Sequence, residues 1–174
     1  MKRLIIGISG ASGVNLAKRF VEKLPQNIET YIIVSDNAKI VLQKEQNQTI
    51  LDDKNIGAIT ASGSFKNDGM VIIPCSMNTL AKISCGIADN LLTRTASVML
   101  KENRPLLLAP REMPFSAIAL ENMLKLSRLG VILAPPVSAY YAEVKTLDEM
   151  EDFFIGKWFD LLGIQHNLFK RWNG

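Results

Sequence analysis

The chain has 174 residues, of which 48% are apolar and 21% charged, and its 20 Lys+Arg against 17 Asp+Glu leave a net charge of +3. These are ordinary values for one soluble globular domain. They exclude the basic, aromatic-laced stripe of a nucleic-acid binder, and no apolar segment approaches the ~18 residues of a membrane span.

The N-terminus MKRLIIGISG begins like a secretory leader, with two basic residues and an apolar run. That run is too short for a leader core, which needs about 7–15 residues. It is expected to be a first core strand, 3-RLIIGI-8, in a cytoplasmic protein. The loop 7-GISGASG-13 and a helix over 12–24 follow. A second strand, 29-ETYIIVS-35, leads into a helix over 36–45. After the turn 61-ASGSFKNDG-69 come a strand, 70-MVIIP-74, and helices over 77–85 and 90–102. The rest reads as strand 105-PLLLAP-110, helix 115–128, strand 131-VILAP-135 and a last helix, 147–164. Each strand is short and almost continuously apolar, as in a parallel strand covered on both faces. In helix 115–128 and its C-terminal boundary, Ile118, Met123, Leu126 and Leu129 form the expected core face, closed by Gly130. The alternation predicts a flavodoxin/Rossmann-like, doubly wound, mainly parallel α/β sheet with helices on both faces, as a single domain over 1–174.

The chemistry lies in the loops after the strands. In 7-GISGASG-13 glycines let backbone approach a ligand, and N–H groups at the next helix start favour an anion. Ser9 and Ser12 add hydroxyl donors, and Ser12 is also a candidate helix cap. The spacing is not GxGxxG, and Val34-Ser35 ends strand two without an acid for a ribose. A mononucleotide phosphate therefore fits better than a dinucleotide, with a capped, ligand-free turn as the plain alternative. In 74-PCSMNTLAKISCG-86, Pro74 is expected to end its strand, leaving Ser76, Asn78 and Thr79 at a helix start, where capping alone accounts for Ser76. In 109-APREMPFS-116, Arg111 and Glu112 stand between two prolines. Arg111 offers a planar fork suited to phosphate, or forms a surface ion pair with Glu112. In 134-APPVSAYY-141 two tyrosines either pack a ligand or half-fill the core. All four motifs follow a strand's carboxyl end, where ligands bind in such sheets, so they are read as one site.

Cys75 and Cys85 form no CxxC and His166 is the only histidine, so no Cys/His zinc site is expected and the thiols are read as core residues. No Ser-His or Cys-His pair is apparent, and His166 is read as structural.

Taken together, GISGASG, ASGSF, GMVIIPCSMNTLAKISCGIADNLLTRTASVMLKENRPLLLAPREMPFS and the later PP…YY resemble the flavin prenyltransferase family (UbiX and its relatives), from about residue 3 to about residue 172. The block from Gly69 to Ser116 is the specific part. The resemblance implies an FMN-binding subunit, usually within a homododecamer, that joins a dimethylallyl group from dimethylallyl phosphate to N5 and C6 of reduced FMN without a metal. The prenylated FMN then serves a UbiD-type decarboxylase, in ubiquinone synthesis or in aromatic acid breakdown. By position, Gly10, Ala11 and Ser12 match the family's first FMN loop and Ser35 its strand-two serine. Ser76, Met77, Asn78 and Thr79 match the second FMN loop, and Arg111 the FMN-contacting arginine. Lys101, Arg111, Glu112, Tyr141 and Lys157 match positions around the allylic phosphate, with Ser12 and Phe65 as further substrate contacts. Many relatives carry Arg at the position of Lys157. Where the family often reads PPxPAFYxxP this chain reads PPVSAYYAEV, with Ser138 for a proline, Tyr140 for a phenylalanine and no later proline. Two other classes share parts of this pattern. FMN-dependent cysteine decarboxylases rely on a histidine in the N-terminal half, which this chain lacks. A non-catalytic flavin carrier would bind FMN without consuming dimethylallyl phosphate.

Overall fold

The computed structural model describes residues 2–10, 13–35, 38, 47–142 and 144–171. The predicted helix over 36–45 lies, apart from Ala38, outside the described residues, as do Ala11 and Ser12. The elements in chain order are β1 (Lys2–Ile8), α1 (Val14–Glu22), β2 (Ile28–Val34), β3 (Gln48–Asp52), β4 (Gly69–Cys75), α2 (Met77–Cys85), α3 (Leu91–Lys101), β5 (Leu106–Pro110), α4 (Ala117–Arg128), β6 (Ile132–Leu133) and α5 (Leu147–Leu161). Single 3-10 turns stand at Ile59–Ala61 and Tyr140–Ala142. The chain divides into two compact units, Met1–Ala134 and Pro135–Gly174.

The first unit is a six-stranded sheet in the order β3-β2-β1-β4-β5-β6, with every adjacent pair parallel. It is the doubly wound sheet the sequence predicts. From β1 the chain crosses towards β2, and from β4 it crosses the opposite way to β5. Right-handed crossovers in opposite directions put their helices on opposite faces. Ile5, Ile33, Met70, Ile72, Leu106 and Leu108 accordingly pack with Leu80 of α2, Leu92, Ala96 and Met99 of α3, and Leu126 of α4. The alternate residues Leu4, Ile6, Ile8, Val71, Ile73 and Leu107 are equally buried and, at the two-residue period of a strand, face the other way. There α1 buries Leu16, Ala17, Phe20 and Val21 and packs on β4.

Several boundaries differ from the sequence reading. Strand β3 was not predicted: QTILD is half polar, and as an edge strand it leaves Ile50 exposed. Pro74 does not end β4; the strand runs on to Cys75 across an irregularity in its pairing with β5. The strand expected over 131–135 is only Ile132–Leu133. Of the predicted apolar face of α4, Leu126 alone is buried; Ile118 and Leu129 are 72% and 60% exposed and Met123 is partly buried. Gly130, at φ 81°, does close that helix.

The second unit comprises the Tyr140–Ala142 turn, α5 and the tail. Thr146 caps α5 by accepting the Glu149 N–H at 3.2 Å, and Asp148 and Glu149 supply negative charge to the first turn, as the helix dipole favours. The helix ends at Leu161, three residues before the predicted 164, and Gly163 turns the chain at φ 64°.

Candidate functional site

The ends of β1 and β4 are tied together by Ser9. Its N–H and its hydroxyl both donate to the Pro74 carbonyl, at 3.1 and 3.3 Å, and its Oγ accepts the Ser76 N–H at 3.0 Å. Ser9, read from the sequence as a ligand donor, is thus a buried strut between the two loops. Gly10 follows at φ 92°, where a Cβ would stand 3.3 Å from that of Ser76. A side chain here would strain the backbone and fill the gap between the loops. Gly13 starts α1, its carbonyl accepting from Leu16 and Ala17. A Cβ on Gly13 would lie 3.6 Å from Arg111 Cδ, so the arginine passes directly beside the first loop.

Ser76 caps α2. Its Oγ accepts the Thr79 N–H at 3.2 Å and donates to Thr79 Oγ1 at 3.0 Å. The first N–H groups of a helix have no intrahelical acceptor, so Met77 and Asn78 present theirs at the carboxyl edge of the sheet. Ser35 donates its N–H to Ile8, but its Oγ is buried with no hydrogen-bond partner among the described residues.

These groups line a cavity of about 520 Å³ at the carboxyl ends of the strands, where β1 and β4 mark the reversal of strand order. That is the expected ligand position in an open α/β sheet. The structure thus brings together Gly10, Ser35, Ser76, Asn78 and Thr79. Met77 instead packs its side chain against the core. The cavity also contains residues the sequence reading missed. Asp53, just after β3, is buried and accepts the Leu92 N–H at 2.8 Å and the Asn90 amide at 3.0 Å. It therefore holds the start of α3 rather than a ligand. Asn90 and Thr93 form a capping box; N-x-x-T ahead of an apolar run was its legible signal. Lys82 bonds Asp89 at 2.6 Å, and that bond lowers the Asp89 carboxyl below its ordinary value.

Other predicted residues lie elsewhere. Lys101 ends α3, at the opposite, amino edge of the sheet. Its ammonium is 3.8 Å from Glu102, and its side chain is 60% exposed. Phe65 precedes β4 at that same edge and is not at the cavity. It is a core ring, edge-on to Tyr31 at 4.8 Å, with the Arg3 guanidinium 5.6 Å from its centre. Glu112 is exposed and its carboxylate accepts the Met113 N–H at 3.0 Å. Arg111 is exposed and forms no ion pair among the described residues, with Glu112 or any other.

In the second unit, the Tyr141 ring meets Phe153 edge-on at 6.0 Å. Lys157 is four residues beyond Phe153 on α5, hence on the same face. Tyr141 and Lys157 thus share Phe153 as a neighbour. Lys157 is exposed and has no ion pair among the described residues.

Cys75 is wholly buried, and burial pushes its thiol up to about 12. Among the described residues no His/Cys/Asp/Glu group could hold a metal ion, and no helix is long and apolar enough to cross a membrane.

An orphaned buried hydroxyl, a glycine cradle and free N–H groups at a helix start suit a phosphate-bearing ligand of nucleotide size. They fit FMN, and the class is that of the flavin-binding proteins: residues 1–158 match the Flavoprotein family. The flavin prenyltransferase UbiX of Helicobacter pylori (strain ATCC 700392 / 26695) is 51% identical over 98% of both chains. The dodecameric FMN-dependent UbiX-like decarboxylase of Escherichia coli O157:H7 superposes with a TM-score of 0.92 at 40% identity, covering 99% of this chain and 100% of that one. AnUbiX (PadA1), solved in complex with FMN and dimethylallyl pyrophosphate, gives the same TM-score at 36% identity, covering 99% and 98%. The chain belongs to the flavin prenyltransferase (UbiX) family.

Proposed function

We propose that this chain transfers the dimethylallyl group of dimethylallyl phosphate to reduced FMN, with no metal. The observation that carries this reading is the cavity that gathers Gly10, Ser35, Ser76, Asn78 and Thr79 at the reversal point of the sheet. Those residues, with Ala11, Ser12, the Met77 N–H and Arg111, are assigned to hold FMN. Bound reduced FMN supplies the nucleophile, its N5 and C6 becoming bonded to the five-carbon unit.

The protein's task is to draw the phosphate away. Negative charge grows on that phosphate as the allylic C–O bond breaks, and fixed cations aimed at it lower the barrier. Arg111 and Lys157, which no carboxylate neutralises among the described residues, are assigned to this role with the Tyr141 hydroxyl donating. Glu112 or the released phosphate accepts the proton lost on ring closure.

Lys101 is assigned to the same phosphate, and its position sets a condition. It stands at the far end of the eleven-residue α3 from Asn90, which lines the cavity, a separation of about 16 Å. Lys101 therefore serves a site only when a second copy presents it there. We infer a homo-oligomer in which a neighbouring copy supplies Lys101; the Escherichia coli relative is dodecameric. The product is read as the cofactor of a UbiD-type decarboxylase, in a cytoplasmic setting.

The test is anaerobic incubation with reduced FMN and dimethylallyl phosphate, followed by mass spectrometry of the flavin. A flavin heavier by one C5H8 unit is expected. Unchanged flavin, bound but not consumed, would mark a carrier instead. Mixing Lys101→Ala chains with chains inactivated at Ser76 is expected to restore part of the turnover.

A further inference from the structure

The C-terminal tail folds back on α5 and reaches Tyr141 through a file of rings. Beyond Gly163, the Ile164 N–H donates to the Phe159 carbonyl at 2.8 Å. His166 Nδ1 accepts the Leu168 N–H at 3.1 Å, which leaves Nε2 as the donor to Asp160 Oδ1 at 3.0 Å. Arg171 closes the turn with a two-pronged bond to the same carboxylate, at 2.8 and 3.1 Å, and its guanidinium lies 5.5 Å from the centre of the Phe169 ring. Phe169 rests 5.0 Å from Phe153, the ring that receives Tyr141 on its edge.

Gly156 makes this return possible. A Cβ there would stand 2.5 Å from Phe169 Cδ1 and 2.7 Å from His166 Cε1. Within a helix, alanine is otherwise the better residue, so the glycine is explained by the tail lying on it. Lys157 is the next residue, one turn beyond Phe153.

We propose that this hook is a positioning device for the phosphate-binding pair. Asp160, His166 and Arg171 clamp the tail, Phe169 fixes Phe153, and Phe153 fixes the Tyr141 hydroxyl in register with the Lys157 ammonium. The proposal rests on the assignment of Tyr141 and Lys157 to the phosphate made above. The clamp itself touches no substrate in this scheme; it acts only through Phe153. An unclamped Phe153 would let Tyr141 sample orientations in which its hydroxyl misses the phosphate, so the ligand would bind more weakly although every group that touches it remains.

The test uses the full chain loaded with oxidised FMN, so that nothing turns over, and titrates dimethylallyl phosphate calorimetrically. Gly156→Ala and Arg171→Ala are expected to weaken its binding about tenfold, some 1.4 kcal/mol, with FMN affinity held within about twofold. Arg171→Lys, which keeps the charge beside Asp160, is expected to recover part of the loss. With reduced FMN the same variants should raise KM for dimethylallyl phosphate more than they lower kcat. Equal losses of FMN and dimethylallyl phosphate binding would reduce the hook to a general stabilising element and overturn the proposal. So would unchanged dimethylallyl phosphate affinity in both hook variants while Tyr141→Phe or Lys157→Ala weakens it. If neither Tyr141→Phe nor Lys157→Ala weakens it, the assignment of the pair fails and the hook falls with it.

Discussion

Ser35→Ala separates a ligand contact from a structural one. The Ser35 hydroxyl is buried, lines the cavity and has no partner among the described residues. A buried hydroxyl without a partner costs about 1–3 kcal/mol. Its removal should therefore leave the ligand-free protein as stable as before or slightly more so. With FMN bound the sign reverses. A hydrogen bond to a neutral group contributes about 0.5–1.5 kcal/mol and one to a charged group about 1.5–3 kcal/mol, so FMN affinity should fall about tenfold or more. Two measurements check this: a thermal melt without FMN, and a titration of FMN followed by quenching of its fluorescence. A midpoint within about 2 °C of the parent, together with the weakened binding, is the expected pair, since ~1 kcal/mol shifts a domain of this size by only a few degrees. Unchanged FMN affinity, or a ligand-free midpoint several degrees lower, would refute the assignment of this hydroxyl to the cofactor.

Ser9→Ala should behave oppositely. It removes the acceptor of the half-buried Ser76 N–H, costing about 1 kcal/mol, so the ligand-free melt should fall by about 2–4 °C. Arg111→Ala should leave that melt unchanged, because the arginine is exposed and unpaired among the described residues. FMN affinity should fall at least tenfold, as expected for a charge-assisted bond to phosphate worth about 1.5–3 kcal/mol, and turnover should be lost. The clamp should fail in acid. The bond from Arg171, then that from His166, holds the Asp160 carboxyl below its ordinary 3.8. A depressed carboxylate stabilises fully above its unfolded value and loses that contribution as pH falls through the folded one. Limited proteolysis with an acid-active protease should therefore release the tail only below about pH 4, and Asp160→Asn should already be susceptible at pH 6.

The sheet was legible because each central strand is a short apolar run, and runs of that kind fill strands covered on both faces. Edge strand β3 was not, since QTILD buries little and carries no such run. The cavity's glycines and hydroxyls were legible from their place after the strands, but their division of labour was not. Ser9 and Ser35 look alike in sequence, yet one hydroxyl is spent on Pro74 and Ser76 and the other has no partner among the described residues. Lys101 and Arg111 were placed around one phosphate by the family resemblance alone. Within one chain α3 carries Lys101 to the opposite edge of the sheet, a placement that strand and helix direction determine and motif matching does not convey. The face of α4 misled for another reason: its apolar period is real, but in a single chain nothing covers Ile118 or Leu129 among the described residues.

Two phosphates must be handled differently by such a protein, and the proposed assignments divide the labour between them. FMN has to stay bound through the reaction, whereas the allylic phosphate has to be torn from carbon. Within the cavity, Lys82 is committed to Asp89 and Asp53 to the start of α3; Lys54, hydroxyls and helix N–H groups line the rest of it. Such donors, with Arg111 beside the first loop, suit a phosphate whose charge does not change. Arg111 and Lys157, assigned above to the allylic phosphate, have no carboxylate partner among the described residues. An unneutralised cation gains most as negative charge grows opposite it, so these are the side chains suited to bond breaking. A carboxylate introduced beside Lys157 on α5 should therefore depress kcat far more than it depresses FMN binding, because it would cancel charge where the charge changes and leave untouched the loops where it does not.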